Sequence, residues 1–336
     1  MTKMKAVDIQ ICTAALKVEH PELFHYTRPL SFEKILETQT LWSTYSGDLD
    51  DKKEIATLKP LLLQCVAGVF NQEVKTRDTG TKNLFYSRRG GIPHAKQFID
   101  SLYQATFENN DPDRAVDAYT TSFTTHAKDS DFERANGLVS QWARYAPDGF
   151  CFVFDTAAMG DLLGAEFDTR DYTHLNLEPV RYATSGVPLR EHFDFIEPAV
   201  RLAVDQFFKN FEKQEMATVE FLRAATLLKL ECFREEREVR IVAIPGAPGY
   251  QAQSAIEHAD YVVKPLPIID PTPKRHVTMF RDSGIKLPIK RVIVAPSEHQ
   301  VANAALARKF VGDDRVTLSQ IPTAAVAQYL LTCGGG

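Results

Sequence analysis

Few folds are compatible with the way strand-like and helix-like segments succeed one another in this sequence. Short runs of apolar, β-branched and aromatic residues, such as 23–27, 41–45 and 118–124, are separated by helical stretches of very different lengths. Some runs alternate polar with apolar residues and others are apolar throughout, as half-buried and fully buried strands do. A doubly wound parallel sheet would need helices of more uniform length between its strands. We therefore expect an α+β fold, with a mixed β-sheet surrounded by helices.

The remaining elements follow from the same patterns. Further strands are predicted at 150–154, 238–244, 261–263, 292–294 and 316–318, the last as an edge strand. Helices are predicted at 7–18, 32–38, 51–74, 93–108 and 301–310, with two more between 191 and 231 and a last one ending at residue 331. Asp51 and Glu54 form a capping box for the third of these. The polar stretch from Thr76 to Pro93 is predicted to be an exposed, mobile loop.

Length and composition bound the domain organisation. The 336 residues allow one large or two ordinary domains, and the apolar share of 44% suffices for a buried core. There is no internal repeat and no low-complexity tract. We expect an N-terminal helical extension over 1–22 and a single α+β domain with helical insertions over 23–331. The longest apolar stretch, around 58–70, is too short to span a bilayer, so no membrane partner is expected.

The charge and the cysteines bear on partners and compartment. Subtracting 44 acidic from 39 basic residues leaves a net charge of −5, which disfavours a nucleic-acid partner. The clustered bases that could serve such a partner are Lys82, Arg88, Arg89 and Lys96. The five cysteines are far apart and form no C-x-x-C pair, which indicates a reducing cytoplasm. Apolar neighbours predict buried thiols at Cys65, Cys151 and Cys232.

Several large enzyme classes are disfavoured by absent motifs. The sequence has no G-x-x-x-x-G-K-[ST] loop, no G-x-G-x-x-G after a strand, no H-E-x-x-H and no G-x-S-x-G. The nine histidines are scattered, so no metal site is expected. The acidic group at Asp48, Asp50, Asp51 and Glu54 lacks the order of a calcium loop, and helix capping explains it better.

Three polar clusters lie on or beside predicted strands, where a sheet can hold side chains rigidly. They are His25-Tyr26-Thr27-Arg28, Tyr119-Thr120-Thr121-Ser122 and Glu235-Glu236-Arg237-Glu238-Val239-Arg240. If the strand already runs through Glu236, then Glu236 and Glu238 share one face and could stabilise a cationic transition state. The alternative is a solvated strand end with surface ion pairs.

The segment Ser140–Tyr145 reads as a helix with two faces. Trp142 and Tyr145, three residues apart, predict a face that packs in the core. Gln141 and Arg144 would share another face that is available to a ligand.

The order of several short motifs resembles a widespread bacterial family whose label implies no activity. The motifs are H-Y-T, L-W-S, L-D-D-x-x-E, S-F-T, S-Q-W-x-x-Y, G-F-C-F-x-F-D, E-R-E-x-R and V-x-x-S-x-I-P. The matching residues run from His25 to Pro322, nearly the whole chain after residue 22. Asp50 stands where the family usually has Asn.

A second resemblance is to ADP-ribosyltransferases, which carry a His or Arg on their first strand, a small hydroxyl or aromatic residue on a second, and a Glu, often in E-x-E, on a later one. His25, Thr120-Thr121-Ser122 and Glu236-Arg237-Glu238 resemble that trio in order and in strand context. The resemblance implies a split sheet that grips NAD as the substrate, with Glu238, Glu236 and His25 as catalytic residues. Glu238 would stabilise the cation that forms as nicotinamide leaves.

The same resemblance implies the other residues of the site and the partners. The NAD-binding residues would be Tyr26, Thr27, Arg28, Tyr45, Ser122, Phe123, Arg144 and Arg240. ADP-ribose would pass to an unknown acceptor macromolecule, as in a toxin or a defence effector. The alternative function is a non-catalytic module that senses a nucleotide or another anion. In that case His25, Arg144 and Arg240 form an anion pocket and Glu238 is not required.

Overall fold

The computed structural model describes residues 6–48, 53–87, 90–104, 117–183, 187–209, 215–246, 263–272, 274–281 and 283–333. These residues form a mixed β-sheet with helices packed on both faces, which confirms the predicted α+β class. Within the described ranges, no helix combines the length and apolar character needed to cross a membrane.

The elements have the following bounds. The helices are α1 (Ala6–Glu19), α2 (Pro29–Thr38), α3 (Lys53–Glu73), α4 (Thr79–Ser87), α5 (Gly91–Tyr103), α6 (Asp131–Asn136), α7 (Val139–Tyr145), α8 (Thr156–Thr169), α9 (Leu189–His192), α10 (Ile196–Lys209), α11 (Glu215–Leu227), α12 (Gln300–Val311) and α13 (Thr323–Cys333). The strands are β1 (Glu22–Thr27), β2 (Leu41–Tyr45), β3 (Tyr119–Thr124), β4 (Phe150–Asp155), β5 (Tyr172–Pro179), β6 (Arg181–Ala183), β7 (Leu228–Leu230), β8 (Glu238–Pro245), β9 (Ile269–Asp270), β10 (His276–Met279), β11 (Ile289–Val294) and β12 (Val316–Leu318). A 3₁₀ segment covers Glu231–Glu236.

Most predicted elements lie close to their predicted bounds, and β12 is an edge strand as expected. The prediction of a loop over 76–93 is wrong, because α4 and the start of α5 occupy much of it. Asp78 caps α4 by accepting a hydrogen bond from the Thr81 amide at 2.9 Å. Phe85 is buried against Phe70. The polar residues of this stretch therefore belong to a helix with one buried face.

Some predictions fall on residues outside the described ranges. They are Asp50 and Asp51 of the acidic group and the helix cap, the bases Arg88 and Arg89, and the strand residues 261 and 262. Residue 263, which the structure does describe, is not in a strand.

β3 is the strand around which the sheet divides. The sheet runs in the order β12-β11-β4-β1-β3-β2-β10-β9, and β8 pairs with the other side of β3 and with β5. One end of β3 pairs with β1, where Thr124 lies opposite Phe24. The other end pairs with β2, where Thr120 lies opposite Thr44. β1 and β2 therefore diverge beside the middle of β3, near Ser122.

The two faces of the sheet carry different side chains, because successive strand residues point to opposite sides. The His25 face carries Leu23, Phe123 and Val239 besides His25 and packs against α1, α2, α8 and α12 in the largest core cluster. The opposite face, which we call the Ser122 face, carries Phe24, Ser122 and Glu238 among others. The sheet is thus the middle of three layers.

Two separate apolar clusters cover the Ser122 face. One joins Val242 and Ile244 of β8 to α3, α10 and α11. The other joins Phe24 and Tyr26 of β1 to Trp142 of α7 and to α13. Ser122 lies between them and is exposed, although β3 has partner strands on both sides. We call the exposed surface at Ser122, between these two clusters, the Ser122 cleft.

Gly137 lets α7 approach the sheet closely. Its φ of 79° is in the region that favours glycine, and a Cβ there would lie 2.7 Å from Nε1 of Trp142 and 2.8 Å from the Tyr26 hydroxyl. Trp142 Nε1 donates to the carbonyl of Asn136 at 2.9 Å. This packing fixes α7 over β1 and so fixes the residues that α7 presents to the cleft.

The N-terminal helix and the cysteines complete the comparison with the predicted fold. α1 packs on α8, and Ile9 and Leu16 belong to the core of the His25 face. The division of the chain at residue 22 stays a prediction.

Cys151 is buried as predicted and Cys65 is half-buried. Cys232 is exposed, contrary to prediction, because it lies in the 3₁₀ segment that leaves the sheet after β7.

Candidate functional site

A buried cluster of charges, which we call the ionic cluster, lies beside Ser122. Lys229 Nζ lies 2.6 Å from Glu236 Oε2 and 3.0 Å from Glu238 Oε2. Arg240 donates from Nε to Glu238 Oε1 at 2.7 Å and from Nη2 to Oε2 at 3.0 Å. All four side chains are buried. The expected solvated strand end is therefore wrong, since these ion pairs are shielded from water.

The chain path explains how the two acids meet. Glu236 ends the 3₁₀ segment, Arg237 has a φ of 43°, and β8 begins only at Glu238. The proposed alternation of Glu236 and Glu238 along one strand is thus wrong. Lys229 on β7 bridges the two carboxylates instead. Arg237 turns away and pairs with Glu133 at 2.7 Å.

α7 adds a third cation and a tyrosine to the ionic cluster. Arg144 Nη1 donates to Glu236 Oε1 at 2.7 Å, and the Tyr145 hydroxyl lies 3.4 Å from the same oxygen. Trp142 is buried in the core as predicted, but Tyr145 is 45% exposed. Gln141 is buried, so it does not share a solvent face with Arg144. The helix thus presents Arg144 and Tyr145 to the ionic cluster, and the Arg144 guanidinium also lies over the rings of Phe233 and Tyr329.

Glu238 is held ionised at neutral pH. Burial alone raises the pKa of its carboxyl, but the charges of Arg240 and Lys229 and hydrogen bonds from Arg240 and Ser122 outweigh burial and lower that pKa to about 2. Arg240 supplies two donors, and Lys229 and Ser122 supply one each. A carboxylate offers about four acceptor positions, so Glu238 is saturated. A ligand can reach it only by displacing the exposed Ser122 hydroxyl.

The resemblance to ADP-ribosyltransferases implies that His25 and Glu238 act together as catalytic residues, but the structure places them on opposite faces of the sheet. Thr124 lies opposite both Phe24 of β1 and Glu238 of β8, so Phe24 and Glu238 point to the Ser122 face. His25 follows Phe24 and points to the other face. Its ring lies 5.6 Å from that of Phe123, which packs in the core there.

His25 supports the floor of the cleft from beneath. Its Nδ1 lies 2.9 Å from the carbonyl oxygen of Ser122 and, as the protonated ring nitrogen, donates to it. Burial lowers the pKa of His25, and the bond to this carbonyl opposes that shift. The imidazole therefore occupies the gap where β1 and β2 diverge, and it acts on Ser122 through the backbone.

We expect His25→Ala to lower the free energy of unfolding by about 1 to 3 kcal/mol, because the Ser122 carbonyl loses its donor. Urea denaturation at pH 7 measures this change. His299→Ala is the matched control, since His299 is 61% exposed and should change stability by less than about 0.5 kcal/mol. If His25→Ala leaves stability unchanged but weakens NAD binding, His25 is instead a residue of the binding site.

The structure distributes the other predicted NAD-binding residues over several environments. Tyr26 and Thr27 are buried, and the Tyr26 hydroxyl is held by the Leu138 amide and by His126. Phe123 is buried in the core of the His25 face, and Tyr45 packs against that core with the guanidinium of Arg275 over its ring. Arg28 is exposed. The residues that meet at the cleft are Ser122, Arg144, Glu236, Glu238 and Arg240.

Three residues of the site were absent from the sequence hypothesis. Lys229 holds the two acids, and the Tyr182 hydroxyl accepts a hydrogen bond from the Glu238 amide at 2.9 Å. Trp42 is exposed on the Ser122 face and stacks on His276 with ring centroids 4.2 Å apart. The position of Lys229 between two apolar residues, Leu228 and Leu230, was the feature of the sequence that could have predicted a buried charge there. Tyr182 and Trp42 carried no comparable signal.

Compared with protein-family models, with curated proteins and with solved structures, the chain matches none at a significant level. The described residues include no group of three or more His, Cys, Asp or Glu placed to hold a metal ion. The site is therefore interpreted from its own geometry.

Proposed function

We propose that the Ser122 cleft binds a nucleotide through its phosphate groups, and that the protein acts as a nucleotide-binding module. The observation that carries this proposal is an exposed hydroxyl on an inner strand, hydrogen-bonded to a carboxylate of a buried cluster that contains three cations. Arg144, Lys229 and Arg240 face two carboxylates, Glu236 and Glu238. The nearby Glu178 is compensated by Arg223.

Arg144 is the best placed of these cations to contact a phosphate. Its side chain is 28% exposed, against 7% for Lys229 and 4% for Arg240. A guanidinium has five donors, and the bond to Glu236 uses one of them. Arginine recognises phosphate oxygens through paired donors. Tyr145 and Trp42 offer exposed aromatic surface for a base.

NAD is the probe that tests this proposal, by isothermal titration calorimetry of the full chain. We expect NAD to bind and Arg144→Gln to weaken binding about tenfold or more, because a charged contact is lost. Ser122→Leu should abolish binding by filling the cleft floor. Arg308→Gln removes an equal charge from an exposed site on α12 and should have no effect. Absent NAD binding, or binding unchanged in Ser122→Leu, would refute the cleft.

ADP-ribosyl transfer is the second candidate, and one contact favours it. The Ser122 hydroxyl bonds to Glu238, so a ribose hydroxyl that displaced it would bring the sugar against a fixed negative charge. That charge would stabilise the cationic ribose as nicotinamide leaves with the bonding electrons. ADP-ribose would then pass to an acceptor macromolecule or to water. The saturation of Glu238 by four donors is why we place binding first.

Nicotinamide release from NAD separates the two functions. Release by the wild-type protein that falls about a hundredfold in Glu238→Gln would establish transfer. NAD binding without release would establish the binding module.

A cytoplasmic location belongs to the same proposal, since Cys65, Cys151 and Cys232 are free thiols, as a reducing compartment maintains.

A further inference from the structure

A second cavity lies on the far side of Tyr182 from the ionic cluster. It has a volume of about 550 Å³, which is within the range of small-molecule sites. β6, α9 and the 3₁₀ segment contribute to its lining. Tyr182 lines this cavity, while its hydroxyl accepts the hydrogen bond from Glu238 N.

The lining is rich in arginine. Arg181, Arg190 and Arg234 all line the cavity. Arg234 is engaged, since its Nε and Nη2 donate to Glu231 at 2.5 and 2.8 Å and its guanidinium lies over the Tyr182 ring. Arg181 and Arg190 form no ion pair with any carboxylate of the described residues. Their guanidinium groups therefore keep their donors for a ligand.

The remaining polar lining consists of one histidine and two acids. His192 Nε2 is buried and has no hydrogen-bond partner within the described ranges. Glu191 and Asp194 also line the cavity, and both are exposed to solvent. Arg181 and Arg190 are exposed like the two acids, so all four charged groups can turn towards a ligand or towards water, and His192 adds one buried ring nitrogen without a partner among the described residues.

We propose that this cavity is a second ligand site, which takes a small molecule bearing a phosphate group held by Arg181 and Arg190. Guanidinium groups match phosphate oxygens in geometry and charge. The volume exceeds that of a phosphate ion and leaves room for an organic moiety beside Tyr182. This site is separate from the Ser122 cleft, and it contacts the residue that anchors the start of β8.

Inorganic pyrophosphate is the probe, and its binding to the full chain is measured by calorimetry. We expect the double variant Arg181→Gln/Arg190→Gln to raise the dissociation constant about a hundredfold, roughly tenfold for each arginine. Arg308→Gln removes an exposed arginine on α12 and should leave it unchanged. The comparison is repeated in the Ser122→Leu background, where the cleft is filled, so that pyrophosphate binding in this cavity is measured alone.

Four results would overturn the second site. They are no pyrophosphate binding to the wild-type protein, an equal loss in Arg308→Gln, a loss in Ser122→Leu with none in the double variant, and equal affinity for citrate. The third result would place the anion in the Ser122 cleft, and the fourth would make the cavity a general anion site. Failure of NAD to bind the cleft would leave this proposal intact.

Discussion

Lys229→Met should lower the free energy of unfolding by about 3 to 5 kcal/mol, because it removes one partner from a buried network of charges. Lys229 lies between Glu236 and Glu238, at 2.6 and 3.0 Å from their oxygens, and all three side chains are buried. Without the ammonium group, two neighbouring carboxylates would repel each other in a medium that screens poorly. Arg240 and Arg144 would remain, one on each acid.

Urea denaturation at pH 7 measures the effect of Lys229→Met, with Lys59→Met as the matched control. Lys59 pairs with Asp100 at 2.8 Å, but the two side chains are 47% and 42% exposed. An exposed pair of this kind contributes less than about 1 kcal/mol. Equal effects of the two substitutions would mean that the ionic cluster is no more important for stability than a surface pair.

Acid should destabilise the protein in two successive pH ranges, and His126 governs the first. His126 stacks on Phe24 with ring centroids 3.6 Å apart, and burial lowers its pKa from 6.5 to about 3. Below pH 6.5 the unfolded chain therefore binds a proton that the folded chain does not. His126 alone should lower the free energy of unfolding by about 1.4 kcal/mol per pH unit as the pH drops from 6.5 towards 3, and His25, whose pKa is also lowered by burial, adds to this slope.

The second range belongs to two buried carboxylates. Charged partners lower the pKa values of Glu238 and Glu178 from 4.5 to about 2 against the opposing effect of burial. Their stabilisation is complete above pH 4.5 and is lost as the pH falls towards 2. Each should contribute about 3 kcal/mol at neutral pH. The slope of stability against pH should therefore steepen below pH 4.5.

Urea denaturation between pH 7 and pH 3 tests both ranges. His126→Gln should reduce the slope between pH 6.5 and 4.5, because glutamine does not titrate and can still bond the Tyr26 hydroxyl. Glu238→Gln should reduce the slope only below pH 4.5. His299→Gln, at an exposed site, should retain the wild-type slope. A wild-type stability independent of pH between 6.5 and 4.5 would contradict the neutral, buried state of His126.

The order of secondary structure could be predicted from the sequence because it depends on local patterns. The strands at 23–27 and 150–154 and the helix at 301–310 follow from periodicity and composition. The helix at 79–87 was missed because its polar residues outnumber the few that are buried, such as Phe85. Its signal was the capping residue Asp78.

The candidate site could be predicted only in part. The polar clusters contain Ser122, Glu236, Glu238 and Arg240, which do converge. The face to which each side chain points depends on the register of β3 with β1 and β8, which lie far apart in sequence. That register separates His25 from Glu238, and no local pattern encodes it.

The divergence of β1 and β2 beside β3 has a mechanical consequence. Each half of the sheet is held to β3 by its own ladder, and at Ser122 one imidazole replaces the amide of a neighbouring strand. A sheet bends most easily where its ladder is interrupted. The middle of β3 is therefore held by this imidazole on one side and by an unbroken ladder with β8 on the other, so that loss of His25 would leave one side of the strand without a bond there.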